Sequence, residues 1–260
     1  MKKSAHLFLI MFLAFQPIFA FNSNGGNEIT ERLKSMAREG YFQNDEKIFM
    51  ELSALCDRIL AKEKENAAAG YYKAYSNYRI VSIAMVKQND TMFDLYYPVA
   101  EEAANLSSEN VDFAAEAKTV LAANYMMILA KDLSEAASIS MKIHTLLGEA
   151  EVLNPANPRV NLIRGTMLLN TPPAFGGSAA AALSEYEKAL EKFDAQDSAS
   201  NVNWGYAETL AWIGIANMKN GDLESAELAF LDALNAEPEF GWVKYQLLPT
   251  VQSKLKGVEK

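Results

Sequence analysis

The residue types that catalysis most often requires are scarce in this chain. Its 260 residues include one cysteine and two histidines, and only His144 lies beyond the first twenty residues. Nucleophilic dyads and triads place a base, most often histidine, beside the nucleophile, and zinc sites need several Cys or His ligands at short spacing. Neither set can be assembled here. We therefore predict that the protein is not an enzyme and holds no metal or cofactor.

The single cysteine and the remaining histidine both lie in helical patterns. Cys56 shares one helical face with Phe49, Leu52 and Ile59, where cysteine behaves as a small apolar residue. We favour a buried, inert thiol over a reactive one, which would need an exposed, electropositive setting. His144 is expected to pack or to face solvent, because no catalytic partner is recognisable for it.

Other polar motifs have simpler interpretations. Glu101 and Glu102 are expected to lie on a solvated helix face. Asn89-Asp90-Thr91 is read as a turn and N-cap rather than as a set of calcium ligands. Gly176-Gly177 lacks the lysine and the strand–turn–helix context of a phosphate loop.

Two aromatic features offer binding chemistry. One is the loop Pro172-Pro173-Ala174-Phe175-Gly176-Gly177, with Trp204 and Tyr206 opening the segment that follows. Prolines fix φ and glycines permit left-handed turns, so we expect the loop to be shaped. We favour Phe175 packing into the adjacent hairpin beside Trp204. The alternative is a binding loop, since loops inserted into repeats gather on one face.

The second feature is a tyrosine stripe. Tyr71, Tyr75 and Tyr78 follow the i, i+4, i+7 spacing of one helix face. We favour a core filled by these rings, with a ligand-lining stripe as the alternative, because tyrosine joins a large apolar body to a polar tip.

The elements that must position these residues are helices. Segments rich in Ala, Leu, Glu, Lys and Met carry apolar residues at helical spacing, and Gly, Asn, Asp and Pro separate them. The predicted helices are 27–39, 44–64, 67–88, 91–106, 110–131, 134–153, 158–170, 179–194, 204–219 and 222–236. Their short connections predict antiparallel hairpins.

A repeat is clearest near the C-terminus. The segment carries Leu210, Ile213, Gly214, Leu223, Ala226, Phe230, Ala233 and Pro238. It resembles the 34-residue tetratricopeptide (TPR) repeat, a helix–turn–helix with small residues where the helices cross. A looser copy has Gly165, Ala182, Tyr186 and Ala189 at the corresponding positions, with five extra residues in its turn. The resemblance implies an all-α, right-handed superhelical solenoid of antiparallel helix hairpins.

The resemblance also implies a concave groove lined by the first helix of each repeat. Its residues would be Arg159, Leu162, Thr166, Leu169, Asn170, Glu208, Ala211, Ile215, Met218 and Lys219. The clamp that some family members use for a peptide C-terminal carboxylate is not expected, because Leu162, Ala211 and Ile215 stand where it needs polar residues. A mostly apolar groove suits an amphipathic helix, an extended segment or a lipid-like ligand.

The N-terminus predicts export. A basic start, the apolar run Leu7–Phe15 and a small residue at Ala20 form the pattern of a cleaved signal peptide. The predicted organisation is a signal peptide at 1–20, a flexible mature N-terminus at 21–27 and a repeat domain at 28–260, with its clearest repeats at 158–194 and 207–240. The predicted location is the periplasm or the medium.

The composition narrows the partners. The formal net charge is −9, and it becomes −11 without Lys2 and Lys3, so nucleic acid is not expected to bind. We predict no direct membrane insertion after signal cleavage. The hypothesis is a non-catalytic scaffold or adaptor that holds a protein or peptide partner in its groove. The alternative is a periplasmic accessory of a solute transporter that binds a small apolar ligand, because the chain loosely resembles the TPR component of TRAP-type transporters.

Overall fold

The computed structural model describes residues 25–196 and 200–258, which form eleven α-helices and no β-strand. The helices are α1 (Gly25–Gln43), α2 (Glu46–Leu60), α3 (Ala67–Lys87), α4 (Asp90–Ser107), α5 (Ala114–Lys131), α6 (Ala136–Leu153), α7 (Pro158–Asn170), α8 (Ala179–Asp194), α9 (Tyr206–Asn220), α10 (Leu223–Ala236) and α11 (Leu248–Val258). A short 3₁₀ turn, Pro173–Phe175, follows α7, and a π-helical turn, Val243–Leu247, precedes α11. The predicted signal peptide lies outside the described residues. No helix in the described stretches is both long and apolar enough to cross a bilayer.

Many of these helices are capped at their N-terminus by a side chain that accepts a hydrogen bond from a first-turn amide. The side-chain oxygen of Asn66 accepts a hydrogen bond from the Ala69 amide at 3.0 Å, and that of Asn89 accepts one from the Met92 amide at 3.0 Å. Such caps satisfy amides that have no partner within the helix. The prediction that Asn89 begins a helix is confirmed.

The ten predicted helices are all present, with ends within four residues of the predicted ones. Consecutive helices pack as hairpins: α1 with α2, α3 with α4, α5 with α6, α7 with α8, and α9 with α10. The first helices of these hairpins, α1, α3, α5, α7 and α9, contact one another in sequence and form the inner layer. The N-terminal half therefore continues the solenoid.

Small residues allow close crossings inside the two clearest hairpins. A Cβ atom added to Gly165 would lie 2.5 Å from Cε1 of Tyr186, and one added to Gly214 would overlap the ring of Phe230. Both rings are fully buried. Each hairpin is thus built around a ring lying on a glycine, so the correspondence between the two repeats holds in three dimensions.

Candidate partner-binding surfaces

The residues that the resemblance places in the concave groove do not form one exposed surface. The buried ones are Arg159, Leu162, Leu169 and Ala211. The partly buried ones are Thr166, Glu208, Ile215 and Met218. The exposed ones are Asn170 and Lys219, which lie at the C-terminal ends of α7 and α9.

Tyrosines from α3 pack against the segment that precedes α9. The indole Nε1 of Trp204 donates to the Tyr71 hydroxyl at 2.7 Å, and the Trp204 ring stacks on Tyr75 with centroids 5.1 Å apart. The Tyr72 hydroxyl donates to the carbonyl of Asn201 at 2.9 Å. The prediction that the tyrosine stripe is core is confirmed, but its partners include the segment before α9, some 130 residues along the chain.

A nearly buried ion pair also joins α3 to α9. The Arg79 Nη1 atom on α3 lies 3.3 Å from Glu208 Oε1 on α9, and the two side chains are 13% and 11% exposed. The guanidinium carbon also lies 4.3 Å from the ring centre of Tyr41, a favourable cation–π position. Farther out, Arg38 on α1 pairs with Glu237 just after α10. The superhelix is therefore closed on itself, with N-terminal helices against the last repeat.

Arg159 is a structural residue of this interior. Its side chain is 0% exposed, and its Nη1 and Nη2 atoms donate to Glu116 at 3.0 Å and to the Val202 carbonyl at 2.9 Å. Its guanidinium carbon lies 5.3 Å from the ring centre of Phe193 and 5.2 Å from that of Trp204. It joins α5, α7 and the segment before α9, so its charge is not presented to a partner at the surface.

The loop between α7 and α8 has a defined shape. The amide of Phe175 donates to the Pro172 carbonyl at 2.9 Å, and the Ser178 amide donates to the Leu168 carbonyl at 3.1 Å. Gly176 has φ of +89°, which glycine adopts without strain. A Cβ atom on Gly177 would collide with the Thr171 carbonyl. The expectation of a shaped loop is confirmed.

The expectation that Phe175 packs beside Trp204 is wrong. The Phe175 side chain is 81% exposed, whereas Trp204 is buried. The physical reason is that Tyr71 and Tyr75 already cover Trp204, while the 3₁₀ turn leaves Phe175 in solvent. Tyr206 is 40% exposed, with its ring edge-on to Phe193 at 5.9 Å. The three aromatic residues grouped by the sequence are thus in three different settings.

Phe175 belongs to one edge of the solenoid, which we call the turn edge. In stacked antiparallel hairpins, the turns that join the two helices of each hairpin share one edge. Here that edge carries Val86 at the end of α3 and Leu133 between α5 and α6, which are 82% and 72% exposed. Asn170 and Lys219 lie on the same edge. We define the turn edge as these five residues: Val86, Leu133, Asn170, Phe175 and Lys219.

Cys56 and His144, the two residues considered for catalysis, lie in different settings. Cys56 is buried, and burial raises the pKa of its thiol to about 12, so the nucleophilic thiolate is rare at neutral pH. His144 is exposed on α6. Within the described residues, no three His, Cys, Asp or Glu side chains are grouped as a metal site would require.

A cleft of about 340 Å³ lies between α4, α5 and the start of α6. Its walls include Tyr97, Tyr125 and Ile139. The Tyr125 hydroxyl donates to Glu101 at 2.7 Å, and burial together with this hydrogen bond raises the pKa of Tyr125 to about 12. The Lys142 ammonium lies 5.4 Å from the centre of the Tyr125 ring. This cleft combines aromatic walls with a few polar groups, as small-molecule sites do.

Comparison with known proteins identifies the fold. No family model matches the sequence, and no curated protein matches it. The HusA haemophore from Porphyromonas gingivalis superposes with a TM-score of 0.61 at 21% identity, covering 76% of this chain and 96% of that one. A thermophilic TPR protein in Thermus thermophilus gives a TM-score of 0.60 at 16% identity, covering 86% of this chain and 98% of that one.

At these identities the likeness is one of fold. The chain is an all-α, right-handed TPR-like superhelical solenoid of antiparallel helix hairpins. Because folds of this kind host many functions, the function must be argued from the surfaces described above.

Proposed function

We propose that this chain is an exported, non-catalytic TPR-like adaptor that binds a protein partner through its turn edge, with Phe175 as the anchor. Export rests on the signal-peptide pattern of residues 1–20. N-terminal sequencing of the protein recovered outside the cytoplasm tests it. The expected mature N-terminus is Phe21, and a chain that keeps Met1 and stays in the cytoplasm would contradict export.

The observation that carries the proposal is the combination of exposure and order at Phe175. Strong binding residues are often aromatic anchors that a partner buries completely. Binding also costs less when the anchor is already ordered, because less conformational entropy is lost. Two prolines, a 3₁₀ turn and three hydrogen bonds, made by the amides of residues 175–177, hold this loop in place. A large apolar ring kept in solvent by an ordered loop is therefore suited to recognition.

The closed interior also favours the turn edge over the inner groove as the binding surface. A peptide entering the inner groove would have to displace Trp204 from Tyr71 and Tyr75 and break the Arg79–Glu208 pair. Docking at the turn edge requires neither. Asn170 and Lys219, the two exposed residues among those predicted for the groove, are already on this edge and add polar contacts around the apolar anchor.

The test is affinity capture from the exported fraction and the solubilised envelope of the source cells. The bait is the parent protein or the variant Phe175→Ser. The matched control is Leu228→Ser, which changes another exposed apolar residue, on α10 away from the turns. We expect one partner to be captured by the parent and the control and lost with Phe175→Ser, at unchanged helicity. Equal capture by all three baits would contradict the proposal.

A second candidate function is binding of a small apolar ligand as an accessory of a solute transporter. The cleft beside Tyr97 and Tyr125 favours it, and so does the likeness to a haemophore. Titration with haem, followed by its Soret band, tests one such ligand. A saturable spectral change that Tyr125→Ser weakens would favour this function. No change at micromolar haem would remove haem as the ligand.

A further inference from the structure

A second cleft lies at the opposite edge of the solenoid from Phe175. It has a volume of about 270 Å³ and is bounded by the turn between α2 and α3 and by the C-terminal part of α4. Pockets for drug-sized ligands range from about 300 to 1,000 Å³. This cleft is therefore sized for a smaller molecule.

The N-terminus of α3 forms one wall of this cleft. Ala67 and Gly70 of its first turn line the cleft together with the capping residue Asn66. Asn66 caps the Ala69 amide, and the Gly70 amide bonds to the Asn66 carbonyl. The amides of Ala67 and Ala68 have no acceptor within the helix, and the helix dipole adds positive potential there. This wall suits a negatively charged group.

The floor supplies an independent polar group. Ser107, at the end of α4, lines the cleft and is 5% exposed, and its hydroxyl has no hydrogen-bond partner. The hydroxyl oxygen lies 4.0 Å from where a Cβ atom of Gly70 would be, so it faces the first turn of α3. A buried hydroxyl without a partner costs free energy unless a ligand or water satisfies it.

The charges around the cleft select the ligand. Lys64 and Lys73 line it, but so do Glu65 and Glu102, and Lys73 is already paired with Asp57 at 2.7 Å. This balance disfavours a dianion such as phosphate. A molecule with one carboxylate and one ammonium group satisfies both signs.

The remaining walls are apolar. Leu60, Val99, Ala103 and Leu106 line the cleft, and Leu106 is 63% exposed. An aliphatic group bound here would cover that exposed surface. We propose that this cleft binds a small aliphatic α-amino acid, with its carboxylate at the N-terminus of α3 and at Ser107 and its ammonium group at Glu102.

The test is calorimetric titration of the purified full chain with L-leucine, 4-methylpentanoate and isoamylamine. The two analogues keep the aliphatic group but lack the ammonium or the carboxylate, respectively. We expect saturable binding of L-leucine and at least tenfold weaker binding of both analogues. Isoamylamine binding as tightly as L-leucine would overturn the role assigned to the α3 N-terminus.

Two variants locate the site. Glu102 is exposed, so the Glu102→Lys variant should fold. It should bind L-leucine about tenfold more weakly and 4-methylpentanoate more tightly than the parent does. Ser107→Ala should weaken the binding of both L-leucine and 4-methylpentanoate. The control is Glu51→Lys, an exposed glutamate on α2 outside the cleft, which should leave both affinities unchanged. The proposal is overturned if L-leucine does not bind, or if it binds both Glu102→Lys and Ser107→Ala as tightly as it binds the parent.

Discussion

The Arg79–Glu208 pair is the sharpest test of the closed superhelix, and Glu208→Gln is the smallest change that breaks it. The two side chains are 13% and 11% exposed, and they join α3 to α9 across 129 residues of chain. Removing one partner of a buried ion pair costs about 3–5 kcal/mol, because the other charge is left unpaired. Glutamine keeps the shape and one acceptor, so we expect about 3 kcal/mol. For a chain of this size, that loss lowers Tm by about 6–12 °C.

The assay is urea unfolding followed by helical circular dichroism, with Glu149→Gln as the matched control. Glu149 pairs with Lys118 at 2.7 Å, but it is half exposed and joins two neighbouring helices. Exposed pairs are worth about 0–1 kcal/mol. The double variant Arg79→Met with Glu208→Leu should recover much of the loss, because neither charge then stays buried. Equal effects of Glu208→Gln and Glu149→Gln would refute the closed arrangement.

Three further outcomes follow from single residues. Gly214→Ala should destabilise the protein by about 1–3 kcal/mol because the added methyl group overlaps the Phe230 ring. Gly148→Ala, whose methyl group meets nothing within 4 Å, should stabilise the protein by about 1 kcal/mol. Urea unfolding of the two variants measures both changes. Cys56, whose pKa is raised to about 12 by burial, should resist alkylation at pH 8 in the native protein and react once unfolded; rapid native labelling would contradict its burial. Burial and the hydrogen bond to Glu101 raise the pKa of Tyr125 to about 12 from an ordinary 10. The stability contributed by the protonated Tyr125 should therefore be fully present below pH 10 and lost as the pH rises towards 12. An ultraviolet difference titration against Tyr125→Phe measures the pKa shift.

The hairpins could be predicted because their signals are local. The glycine at 214 and the ring at 230 must meet within one helix–turn–helix, so their spacing alone identifies the repeat. The same argument located the looser copy through Gly165 and Tyr186. The last helix, α11, is not among the predicted helices. It is only eleven residues long, and its apolar residues Leu248, Val251 and Leu255 span about two turns, which is a short stretch for a periodic pattern.

The closure could not be predicted because it depends on distant parts of the chain. Whether Trp204 meets Tyr71 or solvent is set by how far the stacked hairpins turn, to which every repeat contributes. A groove-lining residue and a buried residue can occupy the same position within a repeat, so the resemblance alone places Arg159 in the groove although its side chain is buried. The position of Phe175 could not be predicted for a related reason. Its expected neighbour, Trp204, is already covered by Tyr75 from α3.

Photo-crosslinking in living source cells identifies the surface through which the protein contacts its partner. p-Benzoylphenylalanine is introduced at Phe175 on the turn edge, at Ile215 of the predicted groove, or at Leu228 on α10. We expect one discrete crosslinked band, larger than the 28.7 kDa chain, from position 175 and none from 215 or 228. A band from position 215 with none from 175 would contradict binding at the turn edge, because it would place the partner in the inner groove, where α3 already contacts Trp204 and Glu208.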